Sequence, residues 1–510
     1  MARVGVGGPP GRSILAALLV FLAALALAPV AALLAFAGGG IFFGGLGPGG
    51  GEALGHTLLL VGCVGTLVAI VGTANGWLTA RCAFPGRRWL RLAQVLPLAT
   101  PAYLLAATWM DLGSRLGWTI HGLGWAIVSL SLSTYSYVFL LASESFTALG
   151  RRPLEAARSL GVGPWGSFQR VALPLALPSI GAGVALSGME VVNELGAVEL
   201  LGVPTLSTAI LQRWQVDGEP QAAAGLALAA LAIVAALLAA ERHWRRRSRR
   251  WSQGSGLERP FAYPIRGLRA LGAQALALLP PLLTLGIPLV WVGVSWDQIQ
   301  LQEPIELLLL TGRSLGLALV AAAATLFFAL LLAITRRWLP QFPWPPLTFV
   351  SGMGYAVPGA VLALGLMLLG SGPGLAPLAL LLWGYGDRFL AVAKQGLDAA
   401  LERLPPSLDE AATSLGSSWW AVLRRVHLPL LRGPLVVGAL LVFVDVVKEL
   451  PLTFALRPFD FDTLAVRVYQ YASDERLGAA LLPALLILAL GLISALALVP
   501  SLPLGARERS

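Results

Sequence analysis

Leu154-Glu155-Ala156-Ala157-Arg158-Ser159-Leu160-Gly161, running on to Leu173-Pro174, returns as Leu408-Asp409-Glu410-Ala411-Ala412-Thr413-Ser414-Leu415-Gly416, running on to Leu428-Pro429. From Glu155–Pro174 to Glu410–Pro429 the offset is 255 without a gap, and 11 of 20 positions are identical. Both copies are polar islands in an apolar chain. Pro101 matches Pro358 at an offset of 257, Glu190, Glu194 and Leu195 match Asp445, Glu449 and Leu450 at 255, and Thr205-Leu206 matches Thr463-Leu464 at 258, so the chain reads as a tandem duplication.

The surroundings of the islands say where they lie. The chain is 57% hydrophobic and 12% charged, against roughly 25% charged for a soluble protein. A membrane-spanning helix needs about 20 apolar residues, and many such runs are present. The net charge is +10. Its arginines cluster between the apolar runs, which is the distribution of cytoplasmic flanks under the positive-inside rule. Outside those flanks there are no long basic runs interleaved with aromatics, so nucleic acid is not an expected partner.

In chain order, spans are expected near Ser13–Ala37, Ala53–Ala80, Leu92–Leu112, Leu123–Ala142, Leu173–Leu195 and Gln221–Ala240. In the second half they fall near 267–293, 307–334, 345–369, 374–393, 429–452 and 477–500. Ala35-Phe36-Ala37 has the form of a signal-peptidase site, but the apolar run before it exceeds the 7–15 residues of a signal peptide. A retained first span is expected, with cleavage as the alternative. Arg81, Arg87, Arg88 and Arg91 mark one inner end, Arg336 and Arg337 its counterpart, and six arginines within 242–250 a third. Pro97 and Pro101 in the third span are tolerated because neighbouring helices satisfy the freed backbone groups.

The expected fold is an all-α polytopic membrane protein of about 12 transmembrane helices, two tandem six-helix halves with both termini cytoplasmic. Residues 1–52 would hold the first span and a Gly-rich outer loop, and 53–240 the first of two repeated membrane domains. A basic linker at 241–266 follows, then a span and outer loop at 267–306. The second domain covers 307–500, and 501–510 form a cytoplasmic tail. Both repeated islands fall on the cytoplasmic side in this scheme.

Each island reads as a two-turn helix, Pro153 in its first turn and Gly161 past its last, the usual asymmetry of helix ends. Gly416 takes the same place in the second copy. Helices this short are not stable alone, so they need something to pack on. Ser407 three residues before Glu410 allows a capping box. Arg152 three residues before Glu155 does not, so a glutamate common to both copies has another task. An exposed carboxylate there suits an arginine of a partner surface.

Several chemistries are excluded or unsupported. Cys63 and Cys82 form no CxxC, and His56, His121, His243 and His427 are scattered, so no metal ligand set is expected. Gly161-Val162-Gly163-Pro164-Trp165-Gly166 matches GxGxxG but follows a helix and lies in no βαβ unit. The two lysines, Lys394 and Lys448, do not follow glycine, so no P-loop exists and any ATP is used by another subunit. No catalytic constellation and no bound cofactor are expected. Asp387-Arg388, in the tenth span, is expected to be an internal ion pair or to lie near its inner end.

Glu-Ala-Ala, then Gly, then Leu-Pro, twice and each before a span, resembles the permease subunits of binding-protein-dependent ABC importers, in the fused form with both permease domains in one chain. The resemblance implies the type I permease fold in a bacterial plasma membrane. It implies that Glu155, Ala156, Ala157, Gly161, Glu410, Ala411, Ala412 and Gly416 dock ATP-binding subunits, two copies in all. It also implies an extracytoplasmic solute-binding protein as partner. Asp445-Val446-Val447-Lys448-Glu449-Leu450-Pro451, Leu456-Arg457-Pro458-Phe459, Asp462-Thr463-Leu464-Ala465 and Tyr469-Gln470-Tyr471-Ala472-Ser473-Asp474-Glu475 resemble the ferric-iron permeases of that family. Met189-Glu190 and Gly202-Val203-Pro204-Thr205-Leu206 resemble them too, while Asn193-Glu194-Leu195 departs from the pattern. Thiamine and phosphonate permeases share the fused architecture.

Glu190 and Glu194, like Asp445 and Glu449, are four residues apart, which on a helix is one face. Asn193 and Lys448 occupy matching intermediate positions. Ionisable groups within spans are costly and usually face a cavity or partner. These six residues are therefore candidates for an outer gate or translocation path, and a salt-bridge cluster neutralised by Lys448 and Arg457 is the alternative. A secondary transporter of two parallel repeats is the rival class, although such a carrier has no use for paired docking loops.

Overall fold

Each half of the chain is built on three helices that pack along one another, and small residues make this possible. The computed structural model describes residues 12–37, 46–149, 151–248, 262–298, 304–338, 354, 356–370 and 376–498. In the first half, α2 (Gly50–Arg81), α5 (Leu123–Ala148) and α8 (Leu173–Asn193) form the packed trio. Gly72 and Gly76, four apart on α2, face α5. A Cβ at Gly72 would lie 2.8 Å from the Phe139 backbone nitrogen, so a side chain there would force the helices apart. Close approach through small residues spaced by four is how helices associate in lipid, where no hydrophobic drive operates between them.

The other helices of this half are α1 (Arg12–Ala37), α3 (Arg87–Ala93), α4 (Ala102–Arg115), α6 (Arg151–Ser159), α7 (Pro164–Ser167), α9 (Gly196–Leu200), α10 (Leu206–Leu211) and the long α11 (Pro220–Ser248). The second half contains α12 (Leu268–Pro281), α13 (Ile287–Val294), α14 (Pro304–Trp338), α15 (Gly359–Gly370), α16 (Pro377–Glu402), α17 (Ser407–Ser414) and α18 (Trp419–Val422). It ends with α19 (Leu428–Lys448), α20 (Pro451–Leu456), α21 (Leu464–Ser473) and α22 (Leu477–Leu498). Here α14, α16 and α19 pack as α2, α5 and α8 do. The only strand pairing among the described residues is the two-residue parallel match of β1 (Cys82–Ala83) with β2 (Tyr263–Pro264).

Nine described helices are long and apolar enough to cross a membrane, or ten if one bent pair counts as a span. Three of the twelve expected spans account for the shortfall. The third is broken, with Arg87–Ala99 and Ala102–Arg115 meeting at 93°. Pro97 and Pro101 explain the break, since each removes a backbone donor and disfavours helix in the residue before it. The ninth is the 12-residue α15, and 345–353 of its expected range lie outside the described residues. The tenth, α16, runs eight or nine residues beyond its expected end and carries Asp387, Arg388 and Lys394 among its buried residues. Most of the Gly-rich loop, part of the 241–266 linker and the tail 501–510 also lie outside the described residues.

The chain forms two compact units that cut across the sequence halves. One gathers α1 with α14 to α20 and the start of α21, with α1 lying on α15. The other holds α2 to α13, the rest of α21 and α22. Within it, α12 and α13 pack on α2, α3 and α4, and Trp291 Nε1 donates to Asp111 at 2.7 Å. So the first span of each half lies in the unit built mainly from the other half.

Candidate functional site

The repeated islands fold as α6 and α17, and both end identically. Gly161 and Gly416 each have φ 78°, the left-handed region that a side chain disfavours. The Gly161 amide donates to the Arg158 carbonyl at 2.9 Å and Val162 to Ala157 at 3.0 Å. Gly416 donates to Thr413 at 2.9 Å and Ser417 to Ala412 at 3.0 Å. This is the Schellman closure of a helix end. The glycine and second alanine of each motif thus have a local reason: one turns the chain back, the other supplies the carbonyl that receives it.

The motif's Leu-Pro has one as well. Phe168–Ala172 and Leu423–His427 are π-helical turns directly before Leu173-Pro174 and Leu428-Pro429. A proline ring clashes with the carbonyl four residues back, and a widened turn relieves that clash. The π turns join α7 to α8 and α18 to α19, so each repeated segment leads on into a long helix of its half.

Glu155, Ala156 and Glu410 are exposed, while Ala157 and Leu154 are buried. The expected capping box does not form. Ser407 lies inside the first turn of α17, with Pro406 at the cap position, and no side chain caps this helix. Glu410 lies one residue past the capping-box position and Pro406 has no amide hydrogen to offer it, so its carboxylate, exposed like that of Glu155, caps nothing here. Two further repeated pairs join these glutamates. Leu160 and Leu415 are 82% and 87% exposed, and Trp165 and Trp420 are 66% and 67% exposed. Large apolar groups left this open, at the same offset, belong to the candidate surface. They stand in the quoted repeat, and their exposure was the missing signal.

An arginine secures the root of each repeated segment. Arg81, fully buried at the end of α2, donates from Nε to the Phe146 carbonyl at 2.7 Å and from Nη2 to the Leu149 carbonyl. Arg337, near the end of α14, donates from Nη1 to the carbonyls of Leu401 and Leu404 at 2.8 and 3.0 Å and from Nη2 to Pro405 at 3.2 Å. Phe146 and Leu149 correspond to Leu401 and Leu404 by the same 255-residue offset. The halves differ beyond this. Arg337 also pairs with Asp409 at 2.6 Å, and Asp409 with buried His427 at 2.8 Å. The matching first-half residues are Leu154 and Ala172, both fully buried. Burial alone would raise the Asp409 carboxyl, but hydrogen bonds from His427 and Arg337 outweigh it and hold the group below the ordinary carboxylate range.

The six candidate path residues sort differently from the expectation of shared helix faces. α8 ends at Asn193 and α19 at Lys448, and Glu194 and Glu449 follow in extended conformation. Glu190 and Asp445 therefore share no continuous helix face with them. Glu194 accepts the Ala197 amide at 2.9 Å, at the start of α9. Glu449 accepts the amides of Leu452 and Thr453 at 3.0 and 2.9 Å and the Thr453 hydroxyl at 2.7 Å, at the start of α20. Both satisfy orphan donors of a helix N-terminus and complement its dipole. Asp445 pairs with Lys448 at 2.9 Å, and Glu190 is half-buried. Among the described residues no group of three His, Cys, Asp or Glu could hold a metal ion.

Asp387 and Arg388 do not pair with each other. Both Asp387 oxygens lack a hydrogen-bond partner among the described residues. A Cβ at Gly359 would lie 2.9 Å from Arg388 Nη1 and 3.1 Å from Glu449 Oε1, so these two groups converge on the space the glycine leaves. Adjacent residues on a helix point about 100° apart, which separates the acid from the base beside it.

A duplicated membrane protein of long apolar helices, each half presenting an exposed Glu-Ala-Ala segment tied to its transmembrane trio, is a transport permease. The chain belongs to the binding-protein-dependent transport system inner membrane component family, whose profile matches residues 72–250. It is 27% identical to the Fe(3+)-transport system permease protein of Haemophilus influenzae over 84% of this chain and 86% of that one. It is 32% identical to the molybdenum transport system permease protein of Azotobacter vinelandii, over 29% of this chain and 70% of that one. The sulfate transport system permease protein of Escherichia coli is 30% identical, over 36% of this chain and 71% of its own. The chain is thus a multi-pass protein of the plasma membrane and a permease subunit rather than a catalytic enzyme.

Proposed function

We propose that this permease imports ferric iron handed over by an extracytoplasmic binding protein. Two copies of a separate ATP-binding subunit dock on α6 and α17 and supply the energy. The observation that carries the docking role is the paired surface: Glu155 with Leu160 and Trp165, and Glu410 with Leu415 and Trp420, exposed on helices closed in the same way. Both segments and both termini face the cytoplasm in this reading, in keeping with the arginines at the ends of α2, α11 and α14. Ferric iron is favoured because the similarity to the iron permease runs through both halves, while the molybdenum and sulfate relatives match about a third of the chain or less.

Glu190 and Asp445 are the carboxylates suited to line the path, since Glu194 and Glu449 are engaged in holding α9 and α20. Asn193 and Lys448 shape the same turns. A permease need not bind its cargo tightly when a binding protein supplies the affinity. Oxygen ligands passed in succession suit a hard trivalent cation.

Proteoliposomes containing the chain, its ATP-binding subunit and an iron-loaded binding protein test the reading. ATP-dependent uptake of radioactive iron is expected, with no competition from molybdate, sulfate, thiamine or phosphonate. Uptake that ignores ATP and collapses with an uncoupler would instead identify a secondary carrier. Normal uptake after joint Glu190→Gln and Asp445→Asn substitution would remove those residues from the path.

A further inference from the structure

The long helices α2 and α14 are pinned at both ends, in the same way in both halves. At one end each carries a buried hydroxyl. Thr57 Oγ accepts the Leu206 amide at 3.0 Å, and Ser314 Oγ accepts the Leu464 amide at 2.7 Å. Each hydroxyl also donates to the carbonyl four residues back, Ala53 at 2.8 Å and Leu310 at 3.0 Å. Leu206 and Leu464 open α10 and α21, whose first amides have no partner within their own helix. At the other end, Arg81 and Arg337 hold the carbonyls just before α6 and α17. Thr57 to Arg81 and Ser314 to Arg337 each span about 35 Å of helix at 1.5 Å per residue, comparable to the hydrocarbon core of a bilayer.

We propose that α2 and α14 are transmission rods, and that Arg81 and Arg337 are the positioning residues through which motion of a docked ATP-binding subunit reaches α10 and α21. The inference rests on the docking role assigned above to α6 and α17. Arginines that merely mark a cytoplasmic flank extend toward water or head groups. These two turn inward instead: Arg81 is fully buried and the Arg337 side chain is 12% exposed. Their carbonyl partners lie in the last turns of α5 and α16 and in the links to α6 and α17, two residues long in the first half and four in the second. A rigid guanidinium fork that holds two or three of these carbonyls fixes both position and orientation of the link, which the point charge of lysine does not. A displaced docking helix therefore carries the end of α2 or α14 with it. A straight helix, held at its far end through one amide, passes that displacement to α10 or α21. The second half adds a direct tie from Arg337 to the docking helix through Asp409, so its rod grips the helix as well as the link.

The test uses the full chain assembled with its ATP-binding subunit, with Arg81→Met, Arg337→Met, the corresponding Lys variants, Thr57→Val and Ser314→Ala, and exposed Arg88→Met as control. The readouts are capture of the ATP-binding subunit, its ATPase stimulation by iron-loaded binding protein, and iron moved per ATP. Capture should match wild type throughout, while stimulation and the transport ratio fall about tenfold in each Met variant, in the range of ordinary coupling energies. Lys should restore only part. Combining Arg81→Met with Thr57→Val should lose no more than either alone, because one rod is already cut, whereas independent structural damage would add. Wild-type coupling in the Met or Lys variants, or additive losses in the combined variant, would overturn the inference. If Arg81→Met does not assemble, the Lys variants and the Thr57→Val and Ser314→Ala pair decide it alone. Failure of the wild-type chain to capture the ATP-binding subunit would refute the docking role instead. Capture and stimulation without iron uptake would refute only the substrate.

Discussion

Arg337 Nε lies 2.6 Å from Asp409 Oδ2, and the first half has no such pair, because the position matching Asp409 is the buried Leu154. The same docking helix is thus seated by packing in one half and by charge in the other. Asp409 also meets His427 at 2.8 Å, where the first half has Ala172.

Asp409→Ala should cost about 2–3 kcal/mol, because it leaves a mostly buried guanidinium short of its partner. Making the second half resemble the first, with Asp409→Leu and His427→Ala together, should cost less than the sum of the two single changes. Denaturant titration in detergent, read as a double-mutant cycle, measures this. A cycle that closes without coupling would show that the pair does not act as a unit.

The same carboxyl predicts a pH dependence. Its folded-state value lies below the ordinary one, so protons bind the unfolded chain more readily. The stabilisation is fully present above the unfolded value of about 3.9 and is lost as pH falls through the lower folded value. Wild type and Asp409→Asn should therefore differ in stability by a constant amount from pH 8 to about 5 and converge in stronger acid. Acid unfolding curves of the two proteins check this; a difference that persisted unchanged at the acid end would contradict it.

Glu155→Ala and Glu410→Ala should each leave stability within about 0.5 kcal/mol, as exposed substitutions do, while impairing stimulation of the docked ATPase. A capping role for Glu410 would add a stability loss, and α17 contains no such cap. Thermal unfolding set beside ATPase stimulation separates the two effects.

Gly161→Ala and Gly416→Ala should each cost about 1 kcal/mol through left-handed strain alone. A Cβ at either position meets nothing within 4 Å, so no clash adds to it. Loss of the Schellman closure should weaken capture of the ATP-binding subunit more than it weakens the fold. Pull-down titrations with each variant measure this.

Glu449→Ala should destabilise by about 3 kcal/mol, since a buried carboxylate leaves three donors unanswered. Glu194→Ala should cost nearer 1 kcal/mol, the usual value of a single cap. If both carboxylates serve only as caps, Glu194→Gln, which keeps an acceptor oxygen, should transport normally. A large transport defect in Glu194→Gln at normal stability would return Glu194 to the translocation path.

Much of the fold was legible in the residues themselves. Apolar runs exceeding 20 residues admit few readings. The glycine of each motif announced a helix end, because only glycine takes φ 78° without strain. Spacing failed where a helix stopped short: Glu190 and Glu194 read as one face until α8 was seen to end at Asn193. It failed again at Ser407, which a one-residue shift in the start of α17 removed from the cap position. Helix ends depend on what receives the last carbonyls and first amides, and those partners come from elsewhere in the chain.

By itself, then, the sequence determined that the chain is a duplicated membrane protein, that each half carries a Glu-Ala-Ala segment, and that neither lysine follows a glycine. These follow from local physics: hydrophobic length, the conformational freedom of glycine and the absence of required residue types. Tertiary structure alone decided which terminal spans belong to which compact unit, that Arg81 and Arg337 turn inward onto backbone carbonyls, and that Glu194 and Glu449 hold helix starts. The arginines and capping carboxylates depend on partners from 3 to 68 residues away along the chain, Thr57 on one 149 residues away, and the placing of the terminal spans on contacts such as Trp291 with Asp111, 180 residues apart. A buried donor or acceptor must find some partner, but no pattern in the sequence says which.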